Sequence, residues 1–350
     1  MAKEATIQKI LKIEEHTNAD SLEIATIKGW KVVIKKDTFK ENDLCVFFEL
    51  DSLLPLSPVF EFIGNIKKMG NGCEGHLLKS VKLRGQLSQG LCMPLDVLEI
   101  HSVKLRKDEI GVRHDAVKIS DYNFMPIAEG TDVSEVLNVV HYEKPVPINM
   151  AGEVLGGFPS FLIKTDEDRI QSVPEKLEEL KDKPYYISYK LDGTSGTFYK
   201  KDGHFGVCSR NLELKENEDN SYWKIANKYN LKERLPEGIC IQGEMVGPGI
   251  QKNRLQLNDV DLFVFNAFDI KQGKYFSFHE LTEFCVYNNL NMVPILNAGD
   301  SCNYTQENLL ELANGKYKNT TNNIEGIVVR SLDKKISFKV LNNVFLLKDE

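Results

Sequence analysis

Five short strand-like runs fill the first hundred residues: Ala5 to Ile13, Leu22 to Ile27, Trp30 to Ile34, Leu44 to Leu50 and Leu77 to Leu83. Asn/Asp, Gly and Lys-Asp breaks separate them, and Lys28-Gly29 sets up a hairpin between the second and third. A handful of strands with little helix must hide its edges, so the expected architecture is a small closed β-barrel, with the OB-fold as the specific expectation. Asp96 to Pro147 has weak periodicity and ends in Pro145-Val146-Pro147, where we place a linker. Beyond it, strands mix with amphipathic helices. One begins at Ser221, one opens at Ser277 with Glu280 completing a capping box, and one runs from Thr305 to Ala313 before Asn314-Gly315. Strands are expected at Gly238 to Val246, Leu262 to Ile270, Ile324 to Arg330 and Ile336 to Val340. The fold class is therefore α+β, with a barrel domain and linker over 1–148 and a second domain of mainly antiparallel sheets with flanking helices over 149–350.

With 350 residues, 42% hydrophobic and 27% charged, the chain can bury two or three real cores and is not disordered. No apolar run reaches the length of a membrane span and the start lacks a signal peptide, so an intracellular, cytoplasmic protein without a membrane partner is expected. Seven scattered cysteines without Cys-x-x-Cys argue against a disulfide framework or zinc ribbon. A net charge of -7 disfavours general polyanion binding but leaves room for a local basic surface. Lys79, Lys82 and Arg84 alternate along one face of an expected strand and are the candidates for nucleic-acid contact, although a solvated face explains them equally well.

Lys190-Leu191-Asp192-Gly193-Thr194 closes the strand-like run Tyr185 to Tyr189. Asp192-Gly193 followed by Ser195 to Lys200 reads as a β-hairpin turn. A lysine fixed at a strand end is also a candidate covalent nucleophile toward a nucleotide phosphate. Other segments supply what that chemistry needs. Arg210, ending the run His204 to Arg210, could grip a phosphate or be a surface arginine. Glu244 precedes the Gly247-Pro248-Gly249 turn and could accept from ribose hydroxyls or hold a metal-bound water, or merely face solvent. Phe268 at a strand end could stack on a purine, though most such aromatics are core. Glu325-Gly326 leads into a buried strand, and Lys339 sits among apolar neighbours where an anionic partner would be needed. Asp192, Glu244 and Glu325 offer the oxygen-rich shell that magnesium prefers, partly through waters. The Lys190 amine must lose its proton, for which a metal and a nearby Arg210 or Lys339 would lower its pKa.

The order Lys190-x-Asp192-Gly193, Ser209-Arg210, Gly243-Glu244, Phe268-Asp269, Glu325-Gly326 and Lys339 resembles the signature of covalent nucleotidyltransferases, the polynucleotide ligases and mRNA capping enzymes. Over nearly its whole length the chain is most similar to the Deinococcus-type RNA ligases, which join an N-terminal OB domain to an ATP-grasp-like adenylyltransferase domain. Phe158-Pro159-Ser160-Phe161, Lys164 to Gln171 and the barrel segments Gly29 to Val33 and Phe48 to Ser52 share in the likeness. The resemblance implies ATP as substrate, Mg2+ or Mn2+ as cofactor, and sealing of RNA 3'-hydroxyl and 5'-phosphate ends, in a nicked duplex and by a monomer. It implies that Lys190 becomes lysyl-AMP and that Asp192, Glu244 and Glu325 face the metal. It also implies that Gly193 lies in the nucleotide site, Glu244 reads the ribose, Phe268 stacks on adenine, Arg210 and Lys339 hold the transferred phosphate, and Arg169 meets pyrophosphate. The last motif departs from the family pattern in carrying one lysine where two are common. The alternatives are a GTP-dependent capping guanylyltransferase and a non-catalytic RNA-binding protein. The first is disfavoured because its OB domain would follow the last motif, whereas eleven residues follow Lys339.

Overall fold

In a computed structural model that describes residues 3–98, 100–103, 114–120, 123–143, 153–318 and 320–349, the chain divides into two units, Met1–Val146 and Pro147–Glu350. The linker expected at Pro145-Val146-Pro147 lies outside the described residues. In the first unit a five-stranded antiparallel sheet runs in the order Leu91–Met93, Leu44–Phe48, Ala5–Glu15, Leu22–Ile27, Trp30–Lys35. The long first strand serves two partners: it pairs with Leu44–Phe48 through Ala5 to Lys9, then bulges between Ile10 and Lys12 and continues along Leu22–Ile27. A bulge bends its strand, which turns a flat sheet toward closure. The sheet ends nearly meet, because the Gln89 N–H donates to the Lys31 carbonyl at 2.9 Å and the Val33 N–H to the Ser88 hydroxyl at 3.0 Å. Ile7, Ile10, Ile27, Trp30, Phe47 and Phe48 fill this near-barrel and are fully buried.

Leu77 to Leu83 is not one strand. Glu74–Leu77 belongs to a sheet with Ser52–Pro55, Ile66–Lys68 and Val140–His141, whereas Val81–Leu83 pairs with Gln86–Ser88. Arg84, at φ 48°, and Gly85 make the tight turn of that second hairpin, whose arms take each other's hydrogen bonds and cannot extend the first ladder. Lys79 falls between the two pieces and bonds Asp51 at 2.8 Å, so Lys79, Lys82 and Arg84 share no strand face. The weakly periodic stretch holds a further three-stranded sheet, Ile100–Val103, His114–Ser120 and Asn123–Pro126.

The second unit is built on two mainly antiparallel sheets, the larger carrying Asn291–Met292 as a short parallel addition to Asp261–Asp269. The larger runs Val154–Gly157, Leu212–Leu214, His204–Cys208, Thr194–Lys201, Ile239–Val246, Asp261–Asp269, Lys274–Tyr275, and the smaller Ile295–Gly299, Tyr185–Lys190, Gly326–Ser331, Ser337–Leu341. Helices cover one face of each, as the apolar periodicity requires. Trp223 and Ile225 of Ser221–Lys228 and Leu281 and Cys285 of Phe278–Asn288 pack with Phe198, Ile241 and Val264 of the larger sheet. Leu309 and Ala313 of Gln306–Ala313 pack with Ile187, Ile327 and Phe338 of the smaller. The capping box at Ser277 and Glu280 is formed, and Thr305 caps the next helix in the same way with Asn308.

The hairpin expected at Asp192-Gly193 does not form. Tyr185–Lys190 and Thr194–Lys201 lie in different sheets, and the intervening residues carry the chain from one to the other. Neither Asp192 nor Gly193 takes the left-handed conformation that a two-residue Asp-Gly turn demands. Glycine is needed at 193 for a different reason: a Cβ there would stand 2.3 Å from the Met245 carbonyl oxygen and 2.9 Å from Glu244 Cγ. Among the described residues, no helix is long and apolar enough to cross a membrane.

Candidate active site

Lys190 is the last residue of its strand to pair, opposite Gly326, before the chain leaves for the larger sheet. Side chains alternate across a strand, and opposed residues share a face. Lys190, Ser188 and Tyr186 therefore share one face of the smaller sheet with Val328, Arg330, Ser337 and Lys339, through the rows Ser188–Val328–Lys339 and Tyr186–Arg330–Ser337. On the larger sheet the same reasoning gives the row Ser195–Glu244–Phe263, then Thr197–Gln242–Asn266, then Tyr199–Cys240–Phe268.

The charges converge where the sheets part. Lys190 Nζ lies 2.5 Å from Glu325 Oε1. Burial works against the Lys190 charge, but Glu325, Glu244 and Asp192 outweigh it and hold the ammonium above its ordinary value. This reverses the expected lowering by Arg210 or Lys339, neither of which is among the strongest influences. Glu244 is pushed the other way, up to about 8, first by burial and then by Glu325 and Asp192, with Lys190 only partly compensating. Asp192 is already held: its Oδ2 accepts from Arg254 Nε at 2.6 Å, and both side chains are largely buried. The Arg254 guanidinium in turn lies 4.6 Å from the centre of the Phe345 ring, and its carbonyl accepts from Asn322.

The segment from Phe158 to Ile170 runs along this cleft. Gln242 Nε2 donates to the Ile163 carbonyl, the Thr165 hydroxyl meets that of Ser195, and Glu167 accepts from the Arg330 guanidinium at 2.8 Å. Burial alone would raise the Glu167 carboxyl, but Arg330 prevails and holds it below its usual range. The segment then adds to the edge of the smaller sheet: the Lys339 N–H donates to the Asp168 carbonyl and the Ile170 N–H to the Lys339 carbonyl, which sets Arg169 beside Lys339.

The sequence-selected residues thus separate into groups. Lys190, Asp192, Gly193, Glu244 and Glu325 come together, and Arg169 and Lys339 lie side by side on the Lys190 face. Arg210 is an exposed arginine paired with Asp166 at 2.8 Å. Phe268 is displaced from the charged group. It pairs with Cys240, four residues and about 13 Å along the strand from Glu244, and is packed with Leu162, Tyr199 and Tyr275 at 5% exposure. The aromatic ring beside Glu244 is Phe263. Pairing the two strands antiparallel through their connecting loop would have found it. Arg254, Tyr317 and the Arg330–Glu167 pair carried no spacing signal, because their partners come from remote segments.

Among the described residues, no three His, Cys, Asp or Glu side chains are placed to hold a metal ion directly. Asp192 and Glu325 are each engaged by a cation, so direct ligation by the expected trio is not what the geometry offers. Hard carboxylate oxygens around an acid pushed upward by burial and by its neighbours' charge fit a hydrated divalent cation held through its waters.

A model of an OB-fold domain matches residues 4–95, and one of an RNA ligase matches residues 183–345. Solved structures align over almost the whole chain. An apo mutant of Naegleria gruberi RNA ligase is 34% identical, with 99% of this chain and 98% of that one covered at a TM-score of 0.83. A mutant of the same Naegleria protein with ATP and Mn is 33% identical, with 98% of each chain covered and a TM-score of 0.82. The Naegleria ligase with PPi is also 33% identical, covered at 99% and 98% with a TM-score of 0.82. Comparison with curated proteins gives no match.

Proposed function

The chain belongs to the RNA ligase family, and from that premise we propose that Lys190 is the residue that takes AMP from ATP and passes it to RNA. The enzyme is an ATP-dependent RNA ligase that uses a divalent cation. In the first step Lys190 Nζ bonds to the α-phosphorus of ATP as the bond to the bridging oxygen breaks and pyrophosphate leaves. Glu325, 2.5 Å away, is the proton acceptor in reach. In the second step an oxygen of the RNA 5'-phosphate attacks the same phosphorus and frees Lys190. In the third the 3'-hydroxyl attacks the activated 5'-phosphate, the phosphodiester forms and AMP leaves.

The chain's own groups act mainly by position and charge. Glu244 and Phe263, side by side on the larger sheet, take the sugar and the base. Lys339 and Arg169 take the phosphates, and Arg210 at its exposed position reaches the outgoing end. Asp192, Glu244 and Glu325 would hold a divalent cation through its waters, and it would supply neutralisation of phosphate charge and a lower Lys190 pKa. Phe268 has a packing role. The RNA is held as a nicked duplex by a monomeric enzyme, and the exposed Lys82 and Arg84 touch its backbone. The observation that carries this reading is the strand-end lysine set among three carboxylates, on the sheet face that also bears Lys339.

The decisive assay offers matched all-RNA, all-DNA and chimeric nicks with either ATP or GTP. Sealing of nicks with RNA on the 3'-hydroxyl side, with ATP alone, is expected. Covalent labelling by GTP but not ATP would favour the capping activity, and no reaction with either nucleotide a binding protein. A shallower salt dependence in a Lys82→Ala, Arg84→Ala double variant checks the barrel contact, since each lost phosphate contact lowers the salt slope by about 1, and an unchanged slope would refute it.

A further inference from the structure

Where the chain crosses from one sheet to the other, its backbone runs out of ladder partners. Lys190 makes the last pairing of its strand and Thr194 the first of the next, while the Leu191 side chain between them is 3% exposed. Buried N–H and C=O groups without partners are costly and loosen the segment that carries them. The Tyr317 side chain fills the first part of the gap, on either side of Leu191, while Gln251 Nε2 donates to the Gly193 carbonyl at 3.2 Å. The Tyr317 hydroxyl accepts from the Asp192 N–H at 3.1 Å and donates to the Lys190 carbonyl at 3.2 Å. A phenol has one donor and free lone pairs, so both bonds form together. Burial raises the Tyr317 phenol above its ordinary value, and it remains a donor at neutral pH. Tyr317 is itself fixed: it is 3% exposed, its N–H donates to the Asn322 carbonyl at 3.0 Å, and its ring lies 6.0 Å from that of Tyr189.

We propose that Tyr317 is a positioning residue for lysine adenylylation, its hydroxyl clasping the peptide on both sides of Leu191 so that the Lys190 amine stays aligned with the α-phosphorus. The proposal rests on Lys190 being the nucleophile. It separates the three steps, because the amine attacks only in the first. In the third the reacting groups are both on RNA, and the clasp contributes nothing beyond the fold.

The test compares full-length wild type with Tyr317→Phe, which removes one oxygen and keeps the ring. Single-turnover transfer of label from α-labelled ATP should fall about 10- to 100-fold, the scale set by misplacing a reacting group by a fraction of an ångström to 1 Å. Half-saturation by ATP should hold within about threefold, and so should sealing of a nick whose 5' end is already adenylylated, since neither draws on alignment of the amine. Equal losses in both reactions, or no loss in the first, would overturn the clasp. Hydrogen exchange in the wild type tests it without any substitution: the Asp192 amide should be protected like its strand neighbours, and exchange at the rate of an exposed loop would refute it. Lys190→Ala runs alongside. If that variant still takes label, the nucleophile assignment fails and the clasp with it, whereas a silent Lys190→Ala leaves the Tyr317→Phe result to decide the clasp alone.

Discussion

Replacing Arg254 by Met should destabilise the second unit by about 3–5 kcal/mol, because it strands the Asp192 carboxylate in a site from which water is mostly excluded. The Nε–Oδ2 distance is 2.6 Å, and the side chains are only 10% and 14% exposed, so solvent cannot replace the lost cation. Asp192→Asn should cost a similar amount for the converse reason. With both changes neither charge remains, and the loss should fall short of the sum by about 2–3 kcal/mol, the coupling expected of contacting groups in one network. The contact between Arg254 and Phe345 drops out of that coupling, since it is lost whenever Arg254 is. The chain has two tryptophans, Trp30 in the first unit and Trp223 in the second. In a Trp30→Phe background, urea unfolding of the second unit can therefore be followed by Trp223, which is 4% exposed and packed edge-on to Phe205. The denaturant slope should be unchanged across the four proteins. Additivity within about 0.5 kcal/mol would mean that Arg254 does not hold Asp192, and the picture of a pre-neutralised carboxylate would fail.

Three further outcomes follow from the same geometry. Folding lifts the Glu244 carboxyl from 4.5 to about 8, so between those values the folded chain keeps a proton that the unfolded chain releases. The resulting stability is complete below pH 4.5 and lost as pH rises through 8; Glu244→Gln should flatten the fall between pH 5 and 8.5 by roughly 2–4 kcal/mol, and equal slopes would contradict the assignment. Gly193→Ala drives a Cβ to within 2.3 Å of the Met245 carbonyl oxygen. It should cost about 1–3 kcal/mol and slow lysine labelling about 100-fold; labelling at the wild-type rate would show that the close approach is dispensable. Phe263→Ala should raise the ATP concentration for half-maximal labelling about tenfold, consistent with the 1–3 kcal/mol of a stacked base, while Phe268→Ala should instead cost about 3–5 kcal/mol of stability. The opposite pattern would return the base to Phe268.

What the sequence made legible was set by local rules. The capping box at Ser277, the strand runs after Gly238 and the first four short strands of the barrel announce themselves through neighbours a few residues apart, and they form. The errors arose where a local signal had a nonlocal meaning. Asp192-Gly193 has the composition of a turn, but the glycine serves the approach of the Met245 carbonyl from another strand. Leu77 to Leu83 reads as one alternating run, yet residues 78–80 belong to no strand, and the Arg84-Gly85 turn folds Val81–Leu83 back onto Gln86–Ser88 while Glu74–Leu77 joins another sheet. Phe268 sits at a strand end in the sequence, but the bulge and register of its pairing with Ile239–Val246 put Phe263 beside Glu244. Arg254 reaches Asp192 from 62 residues away and Tyr317 reaches Lys190 from 127, and nothing in their surroundings marks them.

The central claim is that Lys190 carries AMP. Full-length protein incubated with ATP and magnesium, without RNA, then digested and mapped by mass spectrometry, should show a single acid-labile AMP adduct on the peptide containing Lys190, discharged when a 5'-phosphorylated nicked RNA is added before digestion. An adduct on another lysine, or nick sealing by a protein that never carries AMP, would contradict it.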